Sequence, residues 1–134
     1  MDCLFCKIAG KEVPAYVVYE DPFVVGFLDI HPKSPGHTVV IQRVHAETLA
    51  ALGENAVAPL FLAVRRVAAT LRERLRAEGL TIGINEGIAG GQTVEHLHVH
   101  LMPRFGNDGG GSVHGVVENP PRESLAAMQK KVQQ

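Results

Sequence analysis

Three histidines in strict alternation, His96-Leu97-His98-Val99-His100-Leu101-Met102, are the residues of this 134-residue chain whose types and spacing best suit chemistry. Side chains on a β-strand point to alternate faces, so a strand over residues 95–102 would carry all three imidazoles on one face. Leu97, Val99 and Leu101 would then enter a core. Such a row has two uses. Neutral imidazoles can ligate zinc, or one can attack phosphorus while its neighbours donate to the phosphate oxygens. Alternate residues lie about 6.6 Å apart along a strand, so two reach one ion readily and a third reaches it poorly. The spacing favours phosphoryl chemistry.

The preceding segment points the same way. Gly87, Gly90 and Gly91 let backbone N–H groups turn toward an anion, and Gln92 and Thr93 add neutral polar contacts. A strand follows where a helix should, so this is no dinucleotide fingerprint. Next to the histidine strand it reads as a phosphate cradle beside a nucleophile. The only cysteines, Cys3 and Cys6, form a C-x-x-C, a spacing open to metal, redox or inert readings. A closed zinc site needs four ligands, and the pair supplies two. A thioredoxin-like pair would follow a strand in a βαβ unit, whereas this one opens the chain. His31, in a proline-rich turn, and His114, in a glycine-rich tail, read as surface residues.

β-Branched and aromatic runs predict strands over residues 16–19, 23–28 and 38–41, with turn formers at 31–36 between the last two. Leu60, Val64, Val67, Ala68, Leu71 and Leu75 recur at helical spacing and predict the main helix over 56–78. Asn55 would cap it, Pro59 would fall in its first turn, and Gly79 would stop it. A shorter helix is expected over 46–52, further strands over 80–85 and 95–102, a loose segment over 106–115, and a closing helix over 122–132. The sum is an α+β domain: an antiparallel sheet of about five strands with one main helix and short flanking helices. A single domain spans 1–134.

The formal net charge of −1 provides no field to attract nucleic acid or a membrane surface. Arg65, Arg66, Arg72, Arg74 and Arg76, interleaved with Glu73 and Glu78, read as a solvated helix face. No apolar run approaches the roughly 18 residues a membrane span needs, and no signal sequence is visible, so a cytoplasmic protein is expected.

The alternating histidines resemble the motif of the histidine triad (HIT) nucleotide-binding proteins. Asn85-Glu86-Gly87, Gly90-Gly91-Gln92-Thr93-Val94, Phe27-Leu28-Asp29-Ile30, Pro35-Gly36-His37 and Cys3-Leu4-Phe5-Cys6-Lys7-Ile8 also resemble family segments in family order, covering about residues 3–104. Residues 105–134 form a variable tail. The tryptophan-containing C-terminus of the best-known eukaryotic branch is absent.

The resemblance implies His98 as the nucleophile that becomes nucleotidylated, with His100, His37 and His96 completing the catalytic cluster. It implies that Asn85, Gln92 and Thr93 hold the α-phosphate, that Gly91 and Val94 also belong to the nucleotide site, and that Asp29 accepts from the ribose hydroxyls. Leu4, Phe5, Ile8, Phe27, Leu28 and Ile30 would line the base pocket. Some relatives, and the related galactose-phosphate uridylyltransferases, bind structural zinc through such a cysteine pair and two histidines, here matched by Cys3, Cys6, His45 and His96. No cofactor is implied for the chemical step. The expected activity is hydrolysis or transfer at the α-phosphate of a purine nucleoside phosphoramidate or dinucleoside polyphosphate. A homodimer is implied, joined through the main helix with the sheet continued across subunits. A catalytically weak nucleotide-binding adaptor, and a hydrolase using metal-bound water, are the competing readings.

Overall fold

The structure is a computed structural model and describes residues 2–133. It opens with a short helix absent from the expectations above, α1 (Leu4–Ala9). Strands β1 (Val17–Glu20), β2 (Val24–Leu28) and β3 (Thr38–Gln42) follow as an antiparallel meander. The main helix α2 (Glu54–Leu75) leads into β4 (Gly79–Gly83) and β5 (His98–Arg104), and α3 (Leu125–Val132) closes the described chain. All strand pairs are antiparallel, in the order β1-β2-β3-β5-β4. This is the expected five-stranded α+β architecture. No helix among the described residues is long and apolar enough to cross a membrane.

Each face of the sheet has its own core. On one, Val24, Val40, Leu97, Val99 and Leu101 pack against Leu60, Val64, Val67 and Leu71 of α2. On the other, Val25, Phe27, Val39 and Ile41 meet Phe5, Ile8 and Ala9 of α1. Burying each larger side chain contributes roughly 1.5–3 kcal/mol, so the α2 layer anchors the strands that carry the site. Arg43 fastens α1 from the other side: its guanidinium donates to Ala9 O at 3.0 Å and to Asp21 O at 2.9 Å.

Four local expectations change. Residues 46–52 form turns, not a helix, because their backbone groups serve tertiary partners: Leu97 N donates to Ala46 O at 2.7 Å, and Leu49 N donates to the Glu86 carboxylate. The same Leu97 bond delays β5, which starts at His98 and leaves His96 just ahead of the ladder. Helix α2 begins after Gly53, which puts Pro59 in the second turn, and stops at Leu75, where Arg76 adopts a left-handed φ of 56°; Gly79 instead begins β4. The glycine-rich tail is not loose at its start. Arg104 donates to both carboxylate oxygens of Asp108, at 2.7 and 3.0 Å, and to Gly111 O at 2.6 Å, folding residues 105–111 around its guanidinium.

Candidate active site

A cavity of about 490 Å³ opens on the α1 face of the sheet, between α1, β2, the segment 85–94 and β5. Its apolar end is made by Leu4, Phe5, Ile8, Phe27, Leu28 and Ile30, and its polar end by Asp29, Asn85, Thr93, His98 and His100, with Gly91 and Val94 between. Residues far apart in sequence, selected by motif, therefore share one wall system. Val13, Pro14, Ala15 and Tyr16, from the connection after α1, also line it and carry no sequence signal. Exposed His31 sits at its rim.

The strand register explains how the histidines meet. Val39 and Ile41 of β3 pair with His100 and His98, so the imidazoles stand over the central strands with their rings 5.0 Å apart, centroid to centroid. Each ring's partners define its tautomer. His98 Nδ1 lies 2.7 Å from the His96 carbonyl, an acceptor, so Nδ1 carries the proton and Nε2 keeps a lone pair. Phe5 packs its ring edge-on against His98 at 5.0 Å, fixing the ring plane. This gives His98 one basic, unprotonated nitrogen, as nucleophilic attack requires.

His37 lies at the turn entering β3. The Lys33 N–H donates to its Nδ1 at 3.1 Å, placing its own proton on Nε2. That Nε2–H faces His100 Nδ1 at 2.9 Å, with the Asp29 carboxylate 3.5 Å away. His100 therefore accepts at Nδ1 and presents Nε2–H as a donor. Burial lowers the His37 pKa, partly opposed by Asp29. Burial first, then the neighbouring His98 and His37, brings His100 from 6.5 down to about 4. At neutral pH His37 and His100 are uncharged hydrogen-bond donors.

Two predicted contacts lie elsewhere. The Gln92 carboxamide accepts from Gly87 N at 2.8 Å and donates to Glu47 O and Val94 O at 2.9 and 3.0 Å, bracing the glycine-rich segment instead of lining the cavity. His96 turns its ring away from His98 and His100. Its Nε2 lies 2.8 Å from the Gln42 carbonyl, so Nδ1 is the unprotonated nitrogen, and it faces the Cys3 and Cys6 sulfurs at 3.4 and 3.5 Å. His45 Nδ1 is 3.4 Å from Cys6 Sγ. All four ligand atoms lie within 4.8 Å of one another. A tetrahedral zinc with bonds of about 2.3 Å to sulfur and 2.0–2.1 Å to nitrogen gives sulfur–nitrogen edges of about 3.5 Å, which this cluster matches. Burial and the neighbouring Cys3 thiol push the Cys6 thiol pKa up, the opposite of a redox-active cysteine.

Cys3 caps α1, its sulfur accepting from Cys6 N at 3.3 Å. The one signal that could have revealed this helix is the spacing of Leu4, Phe5, Ile8 and Ala9, apolar at one-turn intervals.

The HIT domain profile matches residues 10–107. A member of the HIT family from Bacillus subtilis superposes with a TM-score of 0.86 at 34% identity, covering 98% of this chain and 95% of that one. A zinc-bound histidine triad family protein from Mycobacterium smegmatis is 41% identical, with a TM-score of 0.77 over 81% of this chain and 79% of its own. A hypothetical histidine triad nucleotide-binding protein from Sulfolobus tokodaii is 38% identical, with a TM-score of 0.76 over 78% and 70%. With fold, histidine register and profile in agreement, this chain belongs to the HIT domain family.

Proposed function

We propose that this protein is a nucleotide-binding hydrolase or transferase acting at the α-phosphate of a purine nucleoside phosphoramidate or dinucleoside polyphosphate. The observation that carries the reading is the fixed tautomer of His98, whose free Nε2 belongs to a ring lining the cavity between an apolar slot and a set of donors. The base enters the slot of Leu4, Phe5, Ile8, Phe27, Leu28 and Ile30. Asp29 takes the ribose hydroxyls, and Asn85, Thr93 and the backbone near Gly91 take the α-phosphate; Gln92 acts by holding that backbone.

His98 Nε2 then bonds to phosphorus while the P–N or P–O bond breaks and its electron pair leaves with the amine, which takes up a proton from solvent, or with the polyphosphate. His100 Nε2–H donates to the phosphate and eases departure, with His37 and Asp29 holding it in that tautomer. Water next attacks phosphorus and gives up a proton to solvent, His98 Nε2 recovers its electron pair, and nucleoside monophosphate is released. Two moderate barriers replace one high barrier.

Cys3, Cys6, His45 and His96 fit structural zinc, and the zinc-bound mycobacterial relative supports that assignment. Zinc there would supply a cross-link with every position occupied by protein. His96 thereby moves from the catalytic cluster to the metal. A cytoplasmic homodimer completes the proposal. The apolar side chains Val57, Phe61 and Leu62, exposed on α2, offer it a surface.

Rapid mixing with adenosine phosphoramidate, followed by mass spectrometry, tests the core claim. One nucleoside monophosphate should appear on His98 within the first turnover, and His98→Ala should lose at least about 10⁴-fold in kcat with the fold intact. Ordinary turnover by His98→Ala would overturn it, and AMP binding without turnover by the unaltered protein would favour the adaptor reading.

A further inference from the structure

The cysteine–histidine cluster touches the cavity by three separate routes. The first is α1: Cys3 and Cys6 bracket Leu4 and Phe5, so whatever fixes the two sulfurs fixes the apolar end. Helix α1 has only 6 residues, too few to persist without tertiary anchoring. The second route is His96, whose ring closes the cluster while its carbonyl, 2.7 Å from His98 Nδ1, sets the His98 tautomer. The third is the segment after His45. Ala46 O holds Leu97 N at 2.7 Å, Glu47 O holds Gln92 Nε2 at 2.9 Å, and Leu49 N is held by Glu86. Base slot, nucleophile and glycine-rich segment each have one anchor in the same four ligands.

Without an ion, the cluster is held only by thiol–imidazole contacts of 3.4–3.5 Å, with Cys6 and His45 half-buried. Each of the four residues then gains freedom, and each route loses its fixed end.

We propose that metal occupancy of the Cys3–Cys6–His45–His96 cluster and nucleotide occupancy of the cavity are thermodynamically coupled, each ligand tightening the other. This rests on the nucleotide and zinc assignments above and adds a regulatory link between the two sites. Coupling free energies are reciprocal, so the effect of zinc on nucleotide affinity equals the effect of nucleotide on zinc affinity.

The test measures both directions without relying on turnover. Calorimetry with AMP on zinc-loaded protein, then on protein stripped by a chelator and checked by far-ultraviolet circular dichroism, should show about 10-fold weaker binding after stripping, restored on reloading. On loaded protein, saturating AMP should raise zinc affinity by the same factor, read as less zinc captured at equilibrium by a competing chromogenic chelator. This second arm decides the matter even if stripped protein unfolds. Equal AMP affinity with and without zinc, or equal zinc affinity with and without AMP, would overturn the coupling while leaving both sites in place. Failure of the loaded protein to bind AMP would instead remove the nucleotide assignment, and failure to take up zinc the metal assignment; either takes the coupling with it.

Discussion

Asp29 divides its carboxylate between structure and site. One oxygen accepts from His31 N at 2.8 Å, holding the turn after β2, and the other faces His37 at 3.5 Å and His100 at 4.0 Å. Its charge raises the pKa of both histidines against the larger effect of burial. An amide at this position would keep the turn and lose the charged acceptor proposed for a ribose hydroxyl, worth about 1.5–3 kcal/mol. Asp29→Asn should therefore raise KM by about 10-fold or more while kcat changes less, as steady-state kinetics with a nucleoside phosphoramidate would register. A fall in kcat alone would place Asp29 among the groups that act only in the transition state.

Among the elements, α2 and β5 were legible because their apolar residues repeat with the period of the structure they form. Leu60, Val64, Val67 and Leu71 all reach the core, as do Leu97, Val99 and Leu101. Helix α1 was not legible: it is short, its cap is a cysteine, and its apolar pattern spans barely a turn. Residues 46–52 read as helical because their propensities are good, yet local propensity loses when neighbouring strands and loops claim the backbone. Most of the cavity wall followed from the histidine strand and the family-like segments; the role of Gln92 did not, because a carboxamide before a strand fits a ligand or a loop brace equally well.

Two element-scale expectations follow from the anchors. Gly36, at φ +85°, leads into His37, and a Cβ added there would run into Leu75 and press on Leu71 and Pro103. Gly36→Ala should lose about 1–3 kcal/mol in urea unfolding. Arg43→Met should leave Ala9 O at the end of α1, and Asp21 O, without the guanidinium donor, costing about 1–3 kcal/mol and weakening AMP binding in calorimetry.

For the molecule as a whole, buried histidines dictate the response to acid. The folded-state pKa values of His37, His96 and His100 all lie below 6.5, and burial is the largest cause in each. Between that value and the folded value, which is about 4 for His100, the unfolded chain binds more protons than the native one. Stability is complete above about pH 6.5 and is lost as pH falls toward 4, on the order of 2–3 kcal/mol from His100 alone. Loss of the proposed zinc through protonated ligands would act in the same direction. Urea midpoints should drop progressively at pH 7, 5.5 and 4.5, and a flat series would contradict the buried neutral rings.

In β5, Val99 and Leu101 are locked into the layer beneath, and the histidines take the intervening positions. The strand is thus a ruler whose graduations are cut by its underside. The pitch between His98 and His100 belongs to the α2 core and cannot drift when ligands or reactions change. Retooling this protein for another chemistry amounts to exchanging the teeth while the comb stays as it is.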